Sequence, residues 1–157
     1  MIEIKAPEDY AAHLGRKSIF LAGSIEMGKA EDWQAKVASG LKDIDCLILN
    51  PRRENWDASW EQSIDNPMFK QQVDWELDAI DASDMVFMYF VPNTKSPITL
   101  LELGLQAGKH ADKLVVCCPP GFWRKGNVDI VCRRYGVKQV ANIEEFITAA
   151  AAYLREK

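Results

Sequence analysis

Residues 84–118 read DMVFMYFVPNTKSPITLLELGLQAGKHADKLVVCC, and their pattern decides the fold. The runs at 84–90 (DMVFMYF) and 113–118 (KLVVCC) are short and almost continuously apolar, as expected of strands buried on both faces of a sheet. Between them, residues 97–109 carry apolar side chains at helical spacing. Ser96 stands at the N-cap position and Pro97 at the first helical position, a start signal for a helix. Strand, helix and strand in that order form a parallel crossover unit.

The same alternation extends in both directions. Residues 18–22 (SIFLA) are a strand ending in the turn Gly23-Ser24, and residues 30–43 carry Trp33, Val37 and Leu41 at helical spacing. Residues 46–49 (CLIL) are a strand closed by Asn50-Pro51, and 68–82 a helix with Val73, Leu77 and Ile80 inward. A short helix at 127–135, a weak strand at Val137–Val140 and a closing helix at 143–155 complete the chain. No repeat and no linker interrupts it. The expectation is one three-layer, flavodoxin- or Rossmann-like α/β domain over residues 1–157, with a parallel sheet of about five strands and right-handed crossovers. Such sheets bind ligands beyond the carboxyl ends of their strands. Those ends are Gly23–Lys29, Asn50–Asp57, Pro92–Glu102 and Pro119–Asn127. Residues 52–67 are polar, hold Trp and Asn and lack a period; a loop of that length is often functional.

Bulk properties narrow the function. The net charge of -4 excludes a nucleic-acid polymer as the main partner, because a phosphate backbone requires a basic face. No apolar run approaches the roughly 20 residues that span a bilayer, and MIEIKAPEDY lacks a signal-peptide pattern, so a cytoplasmic protein is expected. Cys46, Cys117, Cys118 and Cys132 form no CxxC pair, and His13 and His110 are the two histidines. No metal site is expected, and Cys46, Cys117 and Cys118 read as reduced core residues. Neither histidine lies near a Ser or Cys nucleophile in the strand-end loops, which argues against a hydrolase triad.

The helix at 97–109 carries the chemistry. Its polar residues Thr99, Glu102 and Gln106 fall at i, i+3 and i+7, one narrow stripe on an otherwise apolar helix. A carboxylate there is costly unless it is used or paired with an arginine, and the helix N-terminus just over a turn away favours its ionised form. An ionised, positioned carboxylate suits attack on an anomeric carbon. Glu76 falls on the inward arc of the preceding helix, whereas Asp74, Asp78 and Asp81 face out. Two carboxyls in one pocket divide the work of nucleophile and proton carrier. Gly23 and Ser24 offer a turn able to hold an oxygen-rich group, though not the GxGxxG dinucleotide pattern. Arg52 and Arg53, at a strand end, either grip phosphate, stack on a base or form a solvated basic turn. Phe122 and Trp123 are candidates for base stacking, a subunit contact or core cover.

The segments IFLAGSI, LNPRR, WELDAIDASD, SPITLLELG and GFWRKGNV, in this order across residues 18–132, resemble the nucleoside 2-deoxyribosyltransferase superfamily. The resemblance implies that Glu102, in the ELG motif, is the nucleophile. It implies that Glu76, eight residues before Asp84 where the family usually has Asp, handles the proton. Many transferases carry an aspartate six residues before the nucleophile to hold the sugar hydroxyl; this chain has Ser96. That serine, with Gly23-Ser24-Ile25, is similar to the phosphate-binding serines of 2′-deoxynucleoside 5′-monophosphate N-glycosidases. The family tyrosine near the end of the first buried strand is Phe20 here, with Tyr89 as the group that would substitute. Asn127 resembles an asparagine that completes a neighbour's site, which implies a homo-oligomer with shared active sites. The implied activity is transfer of 2-deoxyribose between nucleobases through a glutamyl ester, with no cofactor and no metal. Its partners would be a nucleoside or nucleotide and a free base. The alternatives are the monophosphate glycosidase and a non-catalytic nucleotide-binding module.

Overall fold

The computed structural model describes residues 1–26 and 30–156. Six strands form one all-parallel sheet: β1 (Ile2–Lys5), β2 (Ser18–Gly23), β3 (Leu47–Asn50), β4 (Met85–Tyr89), β5 (Leu114–Cys117) and β6 (Lys138–Val140). Their order across the sheet is β1-β3-β2-β4-β5-β6. The helices are α1 (Trp33–Leu41), α2 (Pro67–Ala82), α3 (Pro97–His110), α4 (Lys125–Tyr135) and α5 (Ile143–Arg155). The three-layer α/β reading holds, with one strand more than the five expected. The addition is β1, which pairs with β3 from Ile2↔Leu47 to Lys5↔Asn50. Its sequence IEIK buries Ile4 alone. An edge strand covered on one side lacks the continuous apolar run that marks the inner strands.

Side-chain alternation along the strands separates two cores. Phe20, Ala22, Val86, Met88, Leu114 and Val116 pack under α2, α3 and α4. Ile19, Leu21, Phe87, Tyr89, Val115 and Cys117 pack under α1 and α5, with Trp33 and Phe146 as the largest rings. All four cysteines are buried and free. No described helix is long and apolar enough to cross a membrane.

Two helices present faces other than those expected. In α2 the buried residues are Gln72, Trp75, Ala79 and Ile80, while Leu77 is exposed. Trp75 takes the inward arc: its ring packs near Phe20 and Tyr10, and its indole N–H donates to Glu8 O at 2.8 Å. The largest side chain sets the helix rotation at Leu77's expense. In α3 the polar stripe lies inward: Thr99, Glu102 and Gln106 are buried beside Leu103 and Ala107. Ile98, Leu101 and Leu105 are 58%, 60% and 44% exposed. The apolar positions exceed what one sheet face can cover, so the surplus forms an outward ridge.

Candidate active site

At the carboxyl end of β2 the chain passes so close to β4 that a side chain would not fit. A Cβ on Gly23 would stand 2.4 Å from Tyr89 O and 2.6 Å from the Trp33 ring. Gly23 thus sets the approach of two strands. The next residue, Ser24, is buried, and its oxygen anchors the β4–α3 loop. Ser24 Oγ accepts from Val91 N at 3.0 Å and contacts Thr94 Oγ1 at 2.8 Å and Ser96 Oγ at 2.5 Å. Thr94 and Ser96 close the triangle at 3.0 Å, and Thr94 donates its own proton to Val91 O. Ser96 occupies the N-cap position of α3 but with φ 46° and ψ 53°, and its hydroxyl does not cap the helix. The hydroxyl serves the knot instead. The N–H groups of Lys95 and Ser96 donate to Glu26 Oε1 at 2.9 and 2.8 Å, which places a carboxylate just ahead of the helix.

That knot fixes where α3 begins and therefore where Glu102 sits, one turn in and 8% exposed. Among the described residues Glu102 forms no ion pair, and no arginine clamps it. Burial pushes its carboxyl up to about 8, with the nearby charge of Glu76 adding to the rise. Glu76, on α2, is pushed up to about 7 by burial, partly offset by a hydrogen bond from Gln72. The expected ionising pull of the helix N-terminus is thus outweighed. Desolvation acts on Glu102 directly, and Glu26 accepts from the backbone amides just ahead of the helix. The charge of Glu76 adds to the rise at Glu102, so burial and like charge together disfavour ionising both carboxyls at once. Two buried carboxyls held above the ordinary range, one feeling the charge of the other, suit general acid–base and nucleophilic chemistry.

The other sequence-derived residues separate. Arg52 is turned into the protein: its Nε donates to Gln34 Oε1 at 3.2 Å, and its Nη2 to Ala30 O and Glu31 O at 3.1 and 2.9 Å. Asp32 lies 3.5 Å from its Nε. Arg52 therefore holds the entry to α1. Arg53 lies over the Trp60 ring at 5.0 Å and donates to Gln71, joining an aromatic pair of Trp56 and Trp60 on the β3–α2 loop. Phe122 is buried against Phe90, while Trp123 is exposed between Lys95 and Arg124. Asn127, on α4, is exposed and lines a groove of about 320 Å³ with Leu100, Leu103 and Trp123. Tyr89 does not take the place of the missing tyrosine. It faces α1 and α5, whereas Phe20 faces α2 and α3, because neighbouring strands at matched register alternate faces with period two. Met27, Gly28 and Lys29 of the β2 turn lie outside the described residues. Thr94, Glu26 and Gln72 were not singled out from sequence. Their roles come from loop closure and helix rotation, which leave no periodic signal. Among the described residues no three His, Cys, Asp or Glu side chains form a metal-binding group.

Comparison with known proteins agrees with this architecture. No curated protein matches the chain. A conserved protein from Enterococcus faecalis V583 shares the fold with a TM-score of 0.58 and 12% identity, over 85% of this chain and 96% of that one. The CMP N-glycosidase BcmB of Clostridium botulinum does so with a TM-score of 0.54 and 17% identity, over 87% of this chain and 100% of that one. The family profile described as "Nucleoside 2-deoxyribosyltransferase like" matches residues 16–122, a span that runs from just before β2 through the α3 carboxylate. By that match over more than half its length, the chain belongs to the nucleoside 2-deoxyribosyltransferase-like family.

Proposed function

We propose that this protein is a nucleoside 2-deoxyribosyltransferase in which Glu102 is the nucleophile and Glu76 the proton carrier. The observation that supports this most is a buried carboxyl free of any described ion pair, near enough to a second carboxyl on α2 to feel its charge. Glu102 attacks C1′ of a 2′-deoxynucleoside. The C1′–N bond breaks, its electron pair goes to the base, and Glu76 delivers a proton to that base. The resulting deoxyribosyl ester of Glu102 is attacked by a second base, which gives its proton back to Glu76. The transition state resembles an oxocarbenium ion, which an electron-withdrawing 2′-hydroxyl would destabilise. The substrates are a nucleoside and a free nucleobase.

The second reading is hydrolysis of a deoxynucleoside 5′-monophosphate, to which Ser24 and Ser96 point; BcmB is named as a glycosidase of a ribonucleoside monophosphate, CMP, so its name supports N-glycosidic hydrolysis of a monophosphate but not the deoxy sugar. Glu26 favours the unphosphorylated substrate. Its carboxylate holds the backbone amides beside Ser96, where a phosphate would meet like charge. Ser24, Thr94 and Ser96 bond one another, and Arg52 is engaged at α1. The third reading, a binding module, leaves the cost of burying Glu102 without a return.

A second copy of the chain completes the site in this proposal. The exposed ridge of Ile98, Leu101 and Leu105 adjoins the groove that holds Asn127, and apolar surface of this kind marks subunit contacts.

The deciding assay incubates the protein with deoxyadenosine, with and without cytosine, and separately with a deoxynucleoside monophosphate. Deoxycytidine formed only with cytosine is the expected product. Free base released without an acceptor would favour the hydrolase. In the Glu102→Ala variant turnover should fall by at least about 10³-fold with circular dichroism unchanged; full activity there would reject the proposal.

A further inference from the structure

Gln72 is 4% exposed on the inward face of α2, a position where an apolar side chain would pack at lower cost. Its Nε2 donates to two acceptors, Pro51 O at 2.9 Å and Glu76 Oε1 at 2.8 Å. Both amide protons are consumed. Its Oε1 is buried without a partner, a desolvation cost that packing alone does not explain. The two acceptors also fix the orientation of the amide, since exchanging O and N would set oxygen against a carbonyl and a carboxyl. Pro51 directly follows β3, so its carbonyl belongs to the sheet end rather than to the long loop beyond it.

We propose that Gln72 is the positioning residue for Glu76, tying one carboxyl oxygen to the end of β3 and leaving Oε2 to exchange a proton with the nucleobase. This rests on the reading of Glu76 as proton carrier. The surroundings fit the role. Glu102, on α3, feels the charge of Glu76, Arg53 on the loop is turned to Gln71 and Trp60, and no described ion pair includes Glu76. Gln72 is thus the donor that offsets burial. It keeps Glu76 near neutrality, where one group can both give and accept a proton.

The test reads titration and catalysis separately. In the unsubstituted protein, the side-chain amide resonances of Gln72 should shift with pH at the midpoint of the Glu76 carboxyl and lose that inflection in Glu76→Gln. In Gln72→Met, the Glu76 midpoint should move up by about a unit. The alkaline limb of kcat/KM should move up with it, and kcat should fall roughly 10- to 100-fold with KM little changed. A Gln72 amide indifferent to pH, or a Glu76 midpoint unmoved in Gln72→Met, would overturn the proposal. The titration needs no turnover, so failure of the activity reading would show separately, as absence of base release by the unsubstituted protein.

Discussion

Burial raises Glu102 to about 8 and Glu76 to about 7, both above the ordinary carboxylate range, and this couples the site to folding. A carboxyl whose folded value exceeds its unfolded one supports the fold fully below the unfolded value. That support is lost as pH rises through the folded value. The window runs from about pH 4.5 to about 8. Stability should therefore decline from pH 5 to pH 8.5. Glu102→Gln, which cannot ionise, should flatten the decline and melt above the parent at pH 8, by ~2–4 °C per kcal/mol relieved, with a smaller difference at pH 5. Thermal melts across that range check it, and equal slopes for the two proteins would count against a buried carboxylate. Glu102 was legible as one of three polar residues in a regular stripe. Gln72 was not, because the pair Gln71-Gln72 on an amphipathic helix reads as solvated until the helix rotation is known.

At the scale of elements, the β2–β4 junction and the outer face of α3 make separate demands. Gly23→Ala sets a methyl group against Tyr89 O and Trp33 at a place where both strands are hydrogen-bonded in register. It should destabilise the protein by about 1–3 kcal/mol, read as a lower urea midpoint, and loosen the Ser24–Thr94–Ser96 knot that starts α3. On the opposite face of α3, Leu101 belongs to the exposed apolar ridge. Leu101→Glu should leave the fold intact and shift sedimentation from oligomer to monomer; a parent protein that already sediments as a monomer would refute the ridge as a subunit contact. The helices and five of the six strands were readable from periodicity; the edge strand β1 was not. The ridge was not, since apolar residues at helical spacing are the same string whether they face a core or a partner. Leu77 illustrates the converse, an inward expectation undone by the bulk of Trp75.

At the scale of the molecule, shared sites predict complementation. The Glu102→Ala and Asn127→Ala variants should each be impaired alone. If Asn127 serves the neighbour's site, mixing them under exchange conditions should restore activity at up to about a quarter of the sites, the share expected for a random dimer. Chromatography of the products with both variants present measures this, and additive residual rates with no recovery would mean that each subunit's site is complete.

The alternation of continuously apolar runs with helical periods was enough to determine the parallel α/β architecture, because strands buried on both faces cannot disguise themselves as polar sequence. It also located Glu102 and Glu76, since a carboxyl in a buried phase of a helix stands out against its neighbours. Only the tertiary structure decided what surrounds them. Loop closure brought Glu26, Ser24 and Thr94 to the start of α3, and the packing of Trp75 turned Gln72 onto the Pro51 carbonyl. Strand register sent Tyr89 to the far side of the sheet. Each of these depends on distances between residues remote in the chain, which local spacing does not encode.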